Sequence, residues 1–124
     1  MLVLRSLFFV TLLATGAAFA QTKPLDRMPD VIFVPTPQEV VEDMLRLANV
    51  RKGDVLYDLG SGDGRIAITA AKMYGVRAVG IDIDPERIRE ANENAKKAGV
   101  EKLVQFRHAD LFASRQTDKI IVAR

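Results

Sequence analysis

Apolar residues at Val40, Val41, Met44, Leu45, Leu47 and Ala48 recur at helical spacing and predict an amphipathic helix. Its start is marked by Thr36-Pro37-Gln38-Glu39. Thr36 is placed to cap, Pro37 suits the first helical position, and Glu39 completes a capping box. Lys52-Gly53-Asp54 reads as a turn. The largely apolar run Val55-Leu56-Tyr57-Asp58-Leu59 then reads as a buried strand. A glycine-rich loop, Gly60 to Gly64, leads into a second helix from Arg65 to Tyr74, which Gly75 is placed to end. Arg77 to Ile81 predicts a second strand. Asp84 as cap and Pro85 at the first position open a third helix, which runs to Ala98 and stops at Gly99. Leu103 to Arg107 predicts a third strand, and Lys119 to Ala123 the opening of a fourth.

Strands alternating with helices of ten to fourteen residues imply right-handed crossovers and a parallel sheet. The expected fold is α/β, a Rossmann-like three-layer αβα arrangement that is partial: three parallel strands plus the start of a fourth. The domain itself is expected over residues 36–124. Ahead of it, Gln21 to Pro35 carries Pro24, Pro29 and Pro35 and reads as an extended lead-in. Residues 1–20 differ in kind. Arg5 precedes an uncharged apolar run from Ser6 to Ala20, which ends in the small-x-small pattern Ala18-Phe19-Ala20. That is the pattern of a secretory signal peptide, with an N-terminal anchor as the other reading. The chain is accordingly expected to be exported, periplasmic or secreted, or membrane-anchored through residues 1–20.

Composition narrows the chemistry. With 124 residues the chain is one domain at most. Eighteen basic against sixteen acidic side chains give a net charge of +2, too small to imply a nucleic-acid partner. The absence of Cys excludes disulfides, thiolate metal sites and a cysteine nucleophile, and a single His makes no case for a metal centre.

The candidate site lies at the C-terminal ends of the strands, where ligands bind in sheets of this kind. Asp58-Leu59-Gly60-Ser61-Gly62-Asp63-Gly64 closes the first strand. A dinucleotide fingerprint has glycine three residues after its second glycine. Here that place holds Arg65, and the third glycine is Gly64. An acid at Asp58 repels a pyrophosphate and suits an ammonium group. Asp82 at the end of the second strand can accept hydrogen bonds from ribose hydroxyls. Asp110, after the third strand, can accept from an adenine amino group. Three acids and a glycine loop on one edge describe a site for a cationic, phosphate-free adenosine compound, and S-adenosyl-L-methionine fits. Other polar residues read as structural. Asp84 is a helix cap, and His108 ends a strand without a catalytic role. Asp63 and Arg65 can pair on the surface. Arg87, Arg89, Glu90, Glu93, Lys96 and Lys97 form the solvated face of a helix.

Tyr57 to Ile66, Gly80-Ile81-Asp82-Ile83-Asp84-Pro85 and His108-Ala109-Asp110 together resemble the class I S-adenosylmethionine-dependent methyltransferases, over about Val34 to Val122. Val34-Pro35-Thr36-Pro37 with Asp58 to Arg65 is similar to a narrower group, the mitochondrial ATP-synthase c-subunit lysine methyltransferases and their bacterial relatives. The resemblance implies protein-lysine N-methylation. It implies that Asp58 holds the methionine ammonium through water, and that Gly60, Gly62 and Gly64 line the methionine moiety. It further implies ribose at Asp82, adenine at Asp110, and Thr36 near the cofactor. It also implies a seven-stranded sheet whose later elements carry the acceptor pocket and any catalytic base, so no catalytic residue is assigned. A truncated reading frame or a fragment is therefore expected, and the chain alone is expected to be weakly stable and catalytically poor. The alternative is a non-catalytic nucleoside- or nucleotide-binding Rossmann-like module.

Overall fold

The computed structural model describes residues 27–112. The apolar run within 1–20, the first residues of the lead-in and the strand expected at Lys119 to Ala123 lie outside the described residues. Six elements follow one another: α1 (Gln38–Leu47), β1 (Val55–Leu59), α2 (Arg65–Tyr74), β2 (Arg77–Asp82), α3 (Pro85–Ala98) and β3 (Val104–His108). Residues 27–37 ahead of α1 carry neither helix nor strand.

The strands form one parallel sheet in the order β1-β2-β3. Successive right-handed crossovers in one direction lay α2 and α3 on the same face. These residues build the sheet and one helical layer of the Rossmann-like arrangement. The register aligns Leu56, Ala78 and Val104 in one row, and Asp58, Gly80 and Phe106 in the next row on the same face. Over that face, Ala67, Ala71, Ala91 and Ala95 bring the helices close, and Phe106 fills the space between them. Val41 and Leu45 of α1 pack on Ala70 and Val76.

Local signals account for most boundaries. Gly75 and Gly99 end their helices in the left-handed conformation. Asp84 caps α3 by accepting from the Glu86 amide at 2.8 Å, with Pro85 in the first turn. Two strands depart from the pattern by one residue. β2 extends to Asp82, whose carbonyl accepts from the Ala109 amide at 3.0 Å. β3 runs from Val104 to His108, following a turn in which the Val100 carbonyl takes the Leu103 amide at 2.8 Å and the Val104 amide at 3.2 Å. The capping box of α1 does not form. Pro37 is the N-cap, no side chain caps the helix, and the Pro37 carbonyl takes the Val40 and Val41 amides. The Thr36 carbonyl is held instead by Arg65, a contact no local pattern encodes.

Candidate functional site

A cleft of about 1220 Å³ opens at the C-terminal edge of the sheet. Its floor comes from Gly60, Ser61, Ile81, Asp82 and Ile83, one end from Ala109 to Phe112, and one wall from residues 27–36. Among the residues predicted for the site, Thr36, Gly60, Asp82 and Asp110 line it directly. Asp58, Gly62 and Gly64 belong to the strand end and loop beneath.

The loop turns sharply because Gly60, Gly62 and Gly64 all adopt positive φ, 89°, 51° and 81°. Two of them also allow close approach. A Cβ on Gly64 would lie 2.5 Å from Phe106 Cζ and 2.9 Å from Ala91 Cβ, so only glycine lets α2 begin so near β3 and α3. A Cβ on Gly62 would lie 2.3 Å from the Phe33 ring, which rests on the loop from the lead-in side. Asp82 braces the turn: one carboxylate oxygen accepts from the Gly62 amide at 2.8 Å, the other from the Asp84 amide at 2.9 Å. Each oxygen keeps a second lone pair for a ligand.

Asp58 has a different environment. It shares the strand face of Leu56, which is the helix-covered face. Its Oδ2 is buried without a hydrogen-bond partner among the described residues, as is the Ser61 hydroxyl. Burial first, then the negative charges of Asp82 and Asp63, push the Asp58 carboxyl up to about 6. A buried acceptor of this kind calls for a donor, and a cationic one offsets the charges of Asp58 and Asp82 as well.

Asp63 behaves in the opposite way. Burial raises its pKa, but the Arg65 hydrogen bonds outweigh that and hold it below the usual carboxylate range. The pair is partly buried, not a solvated surface pair. Arg65 Nε lies 3.0 Å from Asp63 Oδ1 and Nη2 lies 2.6 Å from Oδ2. Arg87 also departs from expectation: it sits half-buried over the Phe33 ring, 5.0 Å from the centroid, instead of on a purely solvated face. Asp110 accepts from the Phe112 amide at 2.9 Å and meets Arg27 at 3.4 Å. His108 Nε2 is engaged with the Ile83 carbonyl at 2.8 Å, in keeping with a structural role. Sequence reasoning missed Arg27, Phe33 and Arg87, whose site contacts join residues far apart in the chain. The one available signal was Arg65 standing where a dinucleotide loop has glycine.

Comparison with known proteins adds the family. Residues 58–123 match the ANTKMT methyltransferase domain. A protein-lysine N-methyltransferase of Saccharolobus islandicus (strain REY15A) is 57% identical over 74 residues, 59% of this chain and 46% of the relative. The ATP synthase c-subunit lysine N-methyltransferase of Mus musculus is 41% identical over 80 residues, 64% of this chain and 32% of the relative. A crystal structure described as an RNA methyltransferase from Salinibacter ruber, in complex with S-adenosyl-L-homocysteine, superposes with a TM-score of 0.64 at 60% identity. That match covers 65% of this chain and 53% of the other. The chain thus spans about half, or less, of the length of these relatives.

Proposed function

The chain belongs to the ANTKMT methyltransferase domain family, and on that premise we propose that it is the cofactor-binding part of an S-adenosylmethionine-dependent methyltransferase acting on a protein lysine. The observation that carries the cofactor is the buried, unpartnered Asp58 oxygen under a loop of three left-handed glycines. The residues present fit the group. Asp58 supplies the acceptor for an ammonium, through a bridging water where the reach requires one. Asp82, already fixed by two backbone amides, offers its remaining lone pairs to ribose hydroxyls. Asp110 stands at the far end of the cleft for the adenine amino group. Gly60 lines the cleft with open space where a side chain would stand, Gly62 and Gly64 turn the loop beneath it, and Thr36 belongs to the facing wall.

When bound, S-adenosylmethionine supplies an electrophilic methyl group on a sulfonium. The chain's own work is to fix the ligand's orientation so that an incoming amine meets that methyl in line. A lysine acceptor must arrive neutral, which requires a site that disfavours its charged form. Two relatives named as protein-lysine methyltransferases support a lysine acceptor. These names, and that of the Salinibacter ruber structure, favour an enzyme over a bare binding module. For residues 1–20 we keep the reading of a signal peptide or membrane anchor, tested by N-terminal sequencing of the native protein and carbonate extraction of membranes.

Calorimetric titration of the 124-residue chain with S-adenosylmethionine, with NAD as control, tests the cofactor. The expected result is micromolar binding of the first, none of the second, and loss of binding in Asp82→Ala. A folded chain that binds neither would overturn the assignment. For the acceptor, methyl-tritiated cofactor is supplied to the native protein in extract. Label recovered as methyllysine supports the reading, and label in RNA refutes it.

A further inference from the structure

The wall formed by residues 27–36 is a strap fastened at three points. At its C-terminal end, Arg65 Nη1 donates to the Thr36 carbonyl at 2.7 Å, while Nε and Nη2 of the same guanidinium fork onto Asp63. In the middle, the Phe33 ring lies on Gly62 and under Arg87. At the N-terminal end, Arg27 meets Asp110 at 3.4 Å and lies 5.8 Å from the Phe112 centroid. No backbone hydrogen bond joins residues 27–36 to the sheet or the loop among the described residues.

The fastenings are unequal. Arg27 is half-exposed and its pair is long, so solvent screens it. The Phe33 contact depends on where the chain carries the ring. Arg65 alone is a fixed, partly buried, charge-assisted contact. Its planar fork is held by Asp63 on one side, leaving Nη1 aimed at the strap. Asp63 is itself steadied by Asn94, which donates to its carbonyl at 3.1 Å. The helix that follows the strap needs no such help, since Val41 and Leu45 anchor α1 independently.

We propose that Arg65 is a positioning residue that latches the strap across the cleft, holding Phe33 as the wall over Gly62 and so setting how tightly the cleft holds its adenosine ligand. The affinity part rests on the function proposed above; the latch itself does not. The residue that stands in place of a third glycine thereby acquires a task of its own.

The chain has no Trp, so Phe33→Trp puts one fluorophore on the strap. In that background Arg65→Lys keeps a positive charge beside Asp63, but a single ammonium cannot fork Asp63 and also reach Thr36. Acrylamide quenching of the indole, circular dichroism and titration with S-adenosylmethionine and S-adenosylhomocysteine are compared with and without Arg65→Lys. Since the Phe33 position is already 40% exposed, the expected result is about twofold stronger quenching, an unchanged dichroism spectrum, and about tenfold weaker binding of both compounds. Unchanged quenching overturns the latch. Stronger quenching with unchanged affinity overturns its role in binding. If the Arg65 chain binds neither compound while quenching still responds, the cofactor assignment falls and takes the affinity claim with it, so the two failures are told apart. Should Arg65→Lys lose its folded spectrum, the Asp63→Asn/Arg65→Gln double variant, which leaves no buried charge unpaired, carries the same comparison.

Discussion

Replacing Asp58 with Asn should stabilise the ligand-free chain at neutral pH while destroying its affinity for the cofactor. The carboxyl is raised from 3.8 to about 6, by burial first and then by the neighbouring charges of Asp82 and Asp63. That shift corresponds to about 3 kcal/mol of preference for the protonated form. The sign follows from proton counting. Between the unfolded and folded pKa the folded chain binds more protons, so its stability falls as pH rises. The favourable contribution is complete below the unfolded value and is lost as pH passes through the folded one. Integrated, the ligand-free chain loses roughly 1 kcal/mol through this group between about pH 5 and pH 8. Against a domain stability of ~5–15 kcal/mol that is a readable change. The assay is urea denaturation from acid to mildly alkaline pH, comparing the chain with Asp58→Asn without ligand. The amide is itself polar, so the difference in pH slope is the cleaner quantity. An ammonium ligand reverses the dependence, because it favours the ionised carboxylate. Affinity for S-adenosylmethionine should be about tenfold weaker near pH 5 than near pH 8. Parallel pH profiles for the two chains would refute the buried, unpartnered state of Asp58. An affinity that does not weaken in acid would refute its pairing with the ammonium.

Two further substitutions test the local structure around the loop and the start of α3. Gly64→Ala places a Cβ 2.5 Å from Phe106 Cζ at a φ of +81°, and thermal melting should report a loss of about 2–4 kcal/mol. Asp84→Ala removes the bond to the Glu86 amide. It should cost ~1 kcal/mol in denaturation, the loss of a helix cap.

What the sequence made legible was whatever is encoded within a few residues. The Asp84-Pro85 start, the Gly75 and Gly99 stops and the limits of α2 depend on local backbone preference, and the structure keeps them. The acids at 58, 82 and 110 could be placed on one edge because strand ends in a parallel sheet share that edge. The N-cap of α1 could not be read: the helix begins at Gln38 with Pro37 as its cap, and the Thr36 carbonyl goes to Arg65, twenty-nine residues away. The same holds for Phe33 on Gly62 and Arg87, and for Arg27 on Asp110. Each joins the lead-in to a strand end or helix start that only the folded sheet brings near. The strap thus read as a plain extended lead-in. It has no periodicity to detect, and its contacts are tertiary.

A tight strand-to-helix turn would explain the glycines at 60, 62 and 64 without any ligand. It would not explain Asp58. An apolar residue on the covered face of β1 would continue the packing that Leu56 begins. The carboxylate there instead loses solvation and faces two more acids, with one oxygen left unpartnered. Local and global preferences agree along α3, with its cap, its proline and its terminal glycine. They disagree within the few residues around the loop, where a buried acid, an unpartnered Ser61 hydroxyl and three left-handed residues coincide. Such disagreement marks a place organised for something other than stability. The missing term has a definite character: it brings a donor, carries positive charge, and fits beside a tight loop of three left-handed glycines. A ligand ammonium meets those three conditions together, whereas a pyrophosphate fails the second.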